Sequence, residues 1–429
     1  MLKFDARKRL RYNIDRYHTS ADQKGCAFLK DEAYHERLRR QYNYRKILYW
    51  GYTQYAISWI FADTTDIVYD LDARIGIGEY NVVSIKDVSV RCGVSVATVS
   101  KALNDHSDIA AATKEYVRKV AKEMGYFPNS SARALKTNRT YNIGVLFVDD
   151  AQSGLTHEYF ANVLDSFKVE AERNGYDITF ISKHTGHMNM SYYEHSKYRG
   201  VDGVVIACID FTDASVQELI HGELPVVTID HVFDNRTAII SDNVKGMRDL
   251  LTHIHEKGHR KIAYIHGADS SVTRNRVGSF YKTLGELGID TSDDYVRSGI
   301  YHDPDTTARL TRELLELKDR PTCIIFPDDF SCIGGMNVIK EQGLRIPEDI
   351  SIAGYDGILL SQVLVPKITT LQQDTKALGR SAAEKLIALI ENPKAAIIER
   401  VIVEGKVLPG ESVGSPRTKN SPREKNRNQ

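Results

Sequence analysis

Seven short apolar runs constrain this chain more than any other feature. IGVLFV (143–148), DITFIS (177–182), DGVVIA (202–207), PVVTID (225–230), KIAYIHG (261–267), PTCIIFP (321–327) and ISIAGYD (350–356) are rich in Val and Ile. Stretches with helical periodicity separate them. Apolar, β-branched strands alternating with helices predict parallel sheets covered on both faces. The strands are too numerous for one small sheet. The expected architecture is an α/β body of two Rossmann-like lobes, roughly 141–240 and 241–370, with the chain crossing back near its C-terminus.

In open α/β sheets a ligand sits beyond the carboxyl ends of the strands. Three of these strands end in aspartate: Asp230, the pair Asp328-Asp329, and Asp356. A carboxylate accepts from two adjacent hydroxyls, which suits polyhydroxylated ligands. Arg276, after the loop HGADSSVTRNR, is able to donate two parallel bonds to ring or hydroxyl oxygens. Tyr159 and Phe160 fall where the first helix of the body presents aromatics to a cleft. A strand-end aspartate also serves as a helix cap, so each single aspartate has two readings and only the constellation favours a ligand.

Ahead of the body lies a basic module. Lys and Arg number 10 against 5 Asp and Glu over residues 82–140, and 28 against 40 over 141–414. A polyanion-binding head on an acidic body follows from that asymmetry. Within the head, SIKDVSVRCGVSVATVSKALN (84–104) reads as two short helices. Ser84 caps the first, Gly93 ends it, and Ser95 caps the second, whose Val99, Ala102 and Leu103 face inward. A third helix is expected in TKEYVRKVAKEMG, with Thr113 as its cap. Two helices about a tight turn form a helix-turn-helix. Val96, Ala97 and Lys101 then face outward, the apolar pair toward thymine methyls and Lys101 toward guanine O6 and N7.

These residues, with GYFPNSSARALKTNRTYNIGV after them, resemble the LacI/GalR family of bacterial transcription regulators from about Val83 to Leu408. The resemblance implies a small all-α DNA-binding domain over 82–128 and a hinge helix and linker over 129–140. It also implies a periplasmic-binding-protein-like effector and dimerisation domain over 141–414 and a basic, disordered tail over 415–429. It places Ser84, Ser95, Val96, Ala97, Thr98 and Lys101 on DNA. Asn129, Arg133 and Leu135 would join them in the hinge, with Leu135 wedged into the minor groove at the centre of a palindrome. It assigns effector contacts to Tyr159, Phe160, Asp230, Arg276, Asp328 and Asp356. Family members usually carry Asn where Asp328 stands, which puts their usual ligand set in question. The implied partners are pseudo-palindromic operator DNA, a second copy of the chain, and a small effector, a sugar or sugar derivative. No cofactor, membrane or catalytic residue is implied. A solute-binding protein or a sugar-active enzyme on the same two-lobed fold is the alternative. Neither a phosphate-binding glycine loop nor a GxSxG elbow occurs to support an enzyme.

One motif points elsewhere. His255 to His259 read HEKGH, the spacing by which two histidines on one helix face grip zinc. Gly258 stands where a helix ends, and HRKIAYIHG reads as a strand, so His259 leaves the face His255 occupies. No metal is expected. The 5 cysteines are scattered, never as CxxC, which suits reduced thiols in a cytoplasm.

Residues 1–81, rich in tyrosine and arginine, lie ahead of the point where the family begins. Three readings are open: an extra domain, a basic-aromatic arm adding nucleic-acid contacts, or translation that starts at Val82 or Val83. The last is favoured because Gly78-Glu79 is encodable as a ribosome-binding sequence. Peptides from Phe4–Arg45 in digests of the endogenous protein would refute that start.

Overall fold

The computed structural model describes residues 83–127, 134, 138–148, 154–186, 188–290 and 292–416. The chain divides into two compact units, one ending at Pro128 and one beginning at Asn129.

The first unit is a three-helix cluster. Helix α1 spans Ile85–Cys92, and Ser84 and Asp87 cap it reciprocally: the Ser84 hydroxyl accepts from the Asp87 amide, and Asp87 accepts from the Ser84 amide. Gly93, at φ +68°, ends it in the left-handed conformation. Helix α2 spans Val96–Leu103 with Ser95 as its cap. Helix α3 covers Ala111–Glu123, three residues earlier than a cap at Thr113 would start it. Thr113 lies inside α3, and Ala110 stands at the cap with no side-chain bond. Val88, Val99, Ala102, Val117, Val120 and Ala121 form the buried centre.

The second unit holds two six-stranded sheets. The first lobe contains β1 (Asn142–Phe147), α4 (Glu158–Arg173), β2 (Asp177–Phe180), a ribbon of β3 (His184–Thr185) and β4 (Met188–Asn189), and α5 (Tyr192–Arg199). It continues through β5 (Gly203–Ala207), α6 (Ala214–His221), β6 (Val226–Ile229) and β7 (Thr237–Ser241). The second lobe contains α7 (Asn243–Glu256), β8 (Ile262–His266), α8 (Ser271–Glu286), β9 (Val296–Ser298) and α9 (Pro304–Glu316). After these come β10 (Cys323–Ile325), α10 (Cys332–Glu341), β11 (Ser351–Asp356), α11 (Leu359–Val363) and β12 (Thr369–Gln372). The chain then returns to the first lobe for α12 (Thr375–Glu391) and β13 (Arg400–Val403), and ends in the second with β14 (Lys406–Leu408).

The first sheet runs β13-β7-β6-β5-β1-β2, with every pair parallel. The second runs β14-β12-β11-β10-β8-β9, parallel except for β14. Every residue of β5 is buried, as helices on both faces require. The chain therefore crosses between lobes three times, where a single return was expected. The extra crossing joins two short edge strands, RVIV of β13 and KVL of β14, whose patterns are too brief to stand out. Helix α12 packs on α4 through a glycine: a Cβ at Gly379 would lie 2.1 Å from the Val163 carbonyl oxygen.

The zinc spacing dissolves here. Helix α7 ends at Glu256, and Gly258 turns the chain at φ +102°. His259 is buried, with Nδ1 2.9 Å from Thr322 Oγ1 and Nε2 2.8 Å from the Gly414 carbonyl, so it ties β8 to the C-terminal segment. No described helix is long and apolar enough to cross a membrane.

Candidate functional sites

In the helix-turn-helix unit, spacing of four residues puts Val96 with Ser100 and Ala97 with Lys101 on one face of α2. Val96 and Ala97 are exposed, while Val99 and Ala102, on the opposite side, are buried. Ser95 and Thr98 are engaged at the cap: the Thr98 amide donates to Ser95 Oγ at 3.1 Å, and the two hydroxyls lie 2.9 Å apart. Ser84 is spent in its capping box. Lys101 donates from Nζ to Asp108 Oδ2 at 2.5 Å. Asn129, Arg133 and Leu135 lie outside the described residues.

In the body, the candidate effector residues converge from both lobes. Asp230 follows β6 and Asp356 ends β11, each at positive φ, 58° and 101°. Such backbone costs a non-glycine residue on the order of 1–3 kcal/mol and recurs at binding sites. Asp230 accepts from Tyr159 Oη at 3.1 Å and from the Ser241 amide at 2.8 Å. Across the cleft, the Ser271 hydroxyl donates to the Asp230 carbonyl at 2.9 Å. Arg276, on the second turn of α8, is 4% exposed. Its Nε donates to Asn243 Oδ1 at 2.7 Å and its Nη1 to the Pro327 carbonyl at 3.1 Å. Its Nη2 lies 3.9 Å from Asp356 Oδ1, and its Cζ sits 3.5 Å above the centre of the Tyr355 ring. Asp356 also accepts from Gln373 Nε2 at 2.7 Å.

Buried acids outnumber the one buried cation at this site. Burial raises the Asp230 carboxyl above its ordinary value. Asp356 is pushed up to about 7, by burial first and by the Asp328 and Asp230 charges, with Arg276 opposing. Burial also holds Asp329 well above the carboxylate range, although its Oδ2 accepts from the Gly357 and Ile358 amides at 2.8 and 3.0 Å.

Asp328, expected to contact the effector, is held by donors on both of its oxygens. Its oxygens accept from the Ser331 amide at 2.7 Å, the Ser331 hydroxyl at 2.8 Å and the His302 amide at 2.8 Å. All three donors belong to its own lobe, so the carboxylate shapes the loops carrying His302 and Phe330. Phe160 joins a ladder of rings that crosses the cleft. His157 lies 5.0 Å from Phe160 and stacks on His302 at 4.4 Å, and His302 stacks on Phe330 at 4.0 Å. Sequence reasoning missed His157, Ser241, Asn243, His302 and Gln373. Tyr355 alone had a signal, inside the quoted run ISIAGYD. A separate groove of about 380 Å³ between α4 and α12, lined by Asp165, Arg173, Lys376 and Arg380 among others, contains none of the candidate side chains.

A helix-turn-helix followed by a two-lobed body with a polar, buried cleft defines a ligand-responsive DNA-binding regulator. Residues 84–129 match the model of bacterial regulatory proteins of the lacI family, and 251–413 match the periplasmic binding protein-like domain. The chain is 32% identical over 317 residues to the HTH-type transcriptional repressor PurR of Vibrio atlanticus, covering 72% of this chain and 92% of that one. It is 31% identical over 331 residues to PurR of Pasteurella multocida, covering 75% and 95%. Among solved structures, a lac repressor dimer bound to operator and the anti-inducer ONPF superposes with a TM-score of 0.65 at 25% identity, covering 77% and 99%. A transcriptional regulator CelR–cellobiose complex shares the fold at 24% identity, with a TM-score of 0.57 and the same coverage. The chain belongs to the LacI family of bacterial regulatory proteins. It is a DNA-binding transcriptional repressor, not an enzyme.

Proposed function

We propose that the repressor's affinity for its operator is set by a small, donor-rich ligand, a sugar or sugar derivative, held between the lobes. One observation carries this reading: Asp230 and Asp356, both partly buried acceptors, face the buried guanidinium of Arg276 from opposite lobes at the carboxyl ends of their strands. Ligand hydroxyls that donate to the two carboxylates would replace the water they lose on burial. Tyr159 orients Asp230, while Asn243 and Gln373 orient Arg276 and Asp356.

The reading continues to the DNA. Residues 82–128 form the binding domain, with Val96, Ala97 and Lys101 toward base edges. Residues 129–140, including Asn129, Arg133 and Leu135, form a hinge whose order depends on the state of the cleft in 141–414. Two copies of the chain place their recognition helices on the halves of a pseudo-palindrome. Closing or opening the lobes changes operator affinity because the ligand prefers one of the two states.

The ring ladder favours a second reading. A flat nitrogen heterocycle would stack where His157 and His302 now meet face to face, and its N–H groups would donate to the same carboxylates.

A thermal-melt screen tests both. Mono- and disaccharides, sugar acids, nucleosides and free bases are added to the full chain. A true effector at about a hundred times its Kd adds about 2.7 kcal/mol to stability, a rise of a few degrees. A response to one sugar fixes the first reading, and a response to bases alone fixes the second. Silence across the panel rejects both.

A further inference from the structure

An acid from the following loop sits against the outward face of α2. Lys101 lies on the outward face of α2 with Val96, Ala97 and Ser100. Its ammonium group is bound by Asp108, which comes from the loop joining α2 to α3. That loop is fastened to the end of α2, since the His106 amide donates to the Lys101 carbonyl at 3.0 Å. The other aspartate of the loop serves a different purpose. Asp105 turns to α3 and takes Lys114 at 3.1 Å and Arg118 at 2.9 Å, both internal to the domain. Only Asp108 reaches back to the reading face. The two side chains stay about half exposed, at 45% and 53%.

Neither folding nor general DNA affinity accounts for this pair. An exposed lysine–aspartate contact adds little to stability. Toward DNA the carboxylate is unfavourable: it repels phosphates and cancels a charge that would otherwise release counterions. That cost applies to every sequence alike, so it raises selectivity only where one base pair satisfies both partners. A G·C pair does so. Its major-groove edge presents guanine N7 and O6 as adjacent acceptors, with the cytosine N4 amino donor beside them. A lysine donor and a carboxylate acceptor held one hydrogen bond apart match that order. At an A·T pair the order is acceptor, donor, acceptor. The carboxylate can take the adenine N6 amino group, but lysine then keeps N7 alone, without the second adjacent acceptor that guanine O6 supplies, and thymine O4 lies against the carboxylate.

We propose that Lys101 and Asp108 act as one reading unit, and that Asp108 makes the repressor select a G·C pair at the position Lys101 reaches in each operator half-site. The proposal rests on the reading that the outward face of α2 meets base edges.

Selection from a random-core duplex library tests it, using the full chain as wild type, Lys101→Ala, Asp108→Ala, Asp108→Asn and the Lys101/Asp108 double alanine. Binding to one fixed random-sequence duplex is measured in parallel across salt concentrations. The wild type is expected to select G·C at one symmetric pair of positions. Asp108→Ala is expected to lose about tenfold or more of that discrimination. It should also bind the random duplex more tightly, with a salt slope steeper by about one charge. Lys101→Ala should lose the same position, and the double variant should lose nothing further. Unchanged melting of Asp108→Asn excludes misfolding as the cause. Three results overturn the proposal. If Asp108→Ala keeps the G·C position that Lys101→Ala loses, Asp108 is only a surface partner. If the wild type selects A·T there, the donor–acceptor assignment fails. If Lys101→Ala leaves the motif intact, the assignment of α2 side chains to base edges fails first.

Discussion

Replacing Arg276 with alanine should cost the body about 3–5 kcal/mol, the range for removing one partner from a buried charge cluster. Among the described residues Arg276 is the one buried cation beside these acids, and its removal takes the counter-charge from Asp230 and Asp356. Two hydrogen bonds, to Asn243 and to the Pro327 carbonyl, go with it, as does the face of Tyr355 on which the guanidinium lies. The response to any effector should vanish together with the stability. Arg276→Lys keeps the charge but not the planar fork, so it should recover only part of either. Urea titration of the three proteins measures the first effect. An unfolding midpoint for Arg276→Ala within about 0.5 kcal/mol of wild type would show that the guanidinium does not hold the site together.

Asp356→Asn should act in the opposite sense. The Asp356 carboxyl titrates near 7 in the folded chain, against an ordinary value of 3.8. The folded state therefore binds this proton more tightly than the unfolded state, and stability falls as pH rises. The contribution is fully present below the unfolded value and is lost as pH climbs to about 7, beyond which it is flat. A shift of about three units bounds the loss at roughly 4 kcal/mol. Asparagine carries no charge to desolvate, so the variant should lose most of the decline between pH 4 and 7. It should melt higher than wild type at pH 8 while binding effector poorly. Removing one partner of an ion pair normally destabilises, but here Arg276 keeps Asp230 nearby and its bonds to Asn243 and Pro327. A wild-type melting temperature that rises from pH 5 to 7, or an Asp356→Asn profile parallel to wild type, would contradict this.

The two-lobed body was legible because buried parallel strands are long apolar words in the sequence, and VVIA or CIIF stand out against any helix. The capping serines of α1 and α2 were equally plain, since the side chain that caps is local to the helix it starts. What stayed hidden was either short or remote. Strands β7, β9, β12 and β13 (TAIIS, VRS, TTLQ and RVIV) mix polar residues into short runs, and so lack the unbroken apolar stretch that marks β5 or β10. Thr113 failed as a cap because α3 begins at Ala111, and a good capping residue is also tolerated inside a helix. At the site, the strand-end rule singled out Asp230, Asp328 and Asp356 alike and said nothing of their partners. All three have the same local pattern, and only the partners supplied by residues 302 and 331 tell them apart. His157 and His302 are distant in sequence, and no spacing announces a stack across a cleft.

The threefold passage of the chain between lobes governs how the protein is made. The first sheet is left with β7 as an open edge until β13 is synthesised, and the face of α4 stays bare until α12 emerges. Between Ser241 and Val403 a ribosome adding roughly 5–20 residues per second needs about 10–30 s. Through that interval Ile239 and Phe167, both fully buried in the finished body, await their neighbours. Birth order and structural order are thus reversed: the lobe begun first is completed after most of the second has been translated.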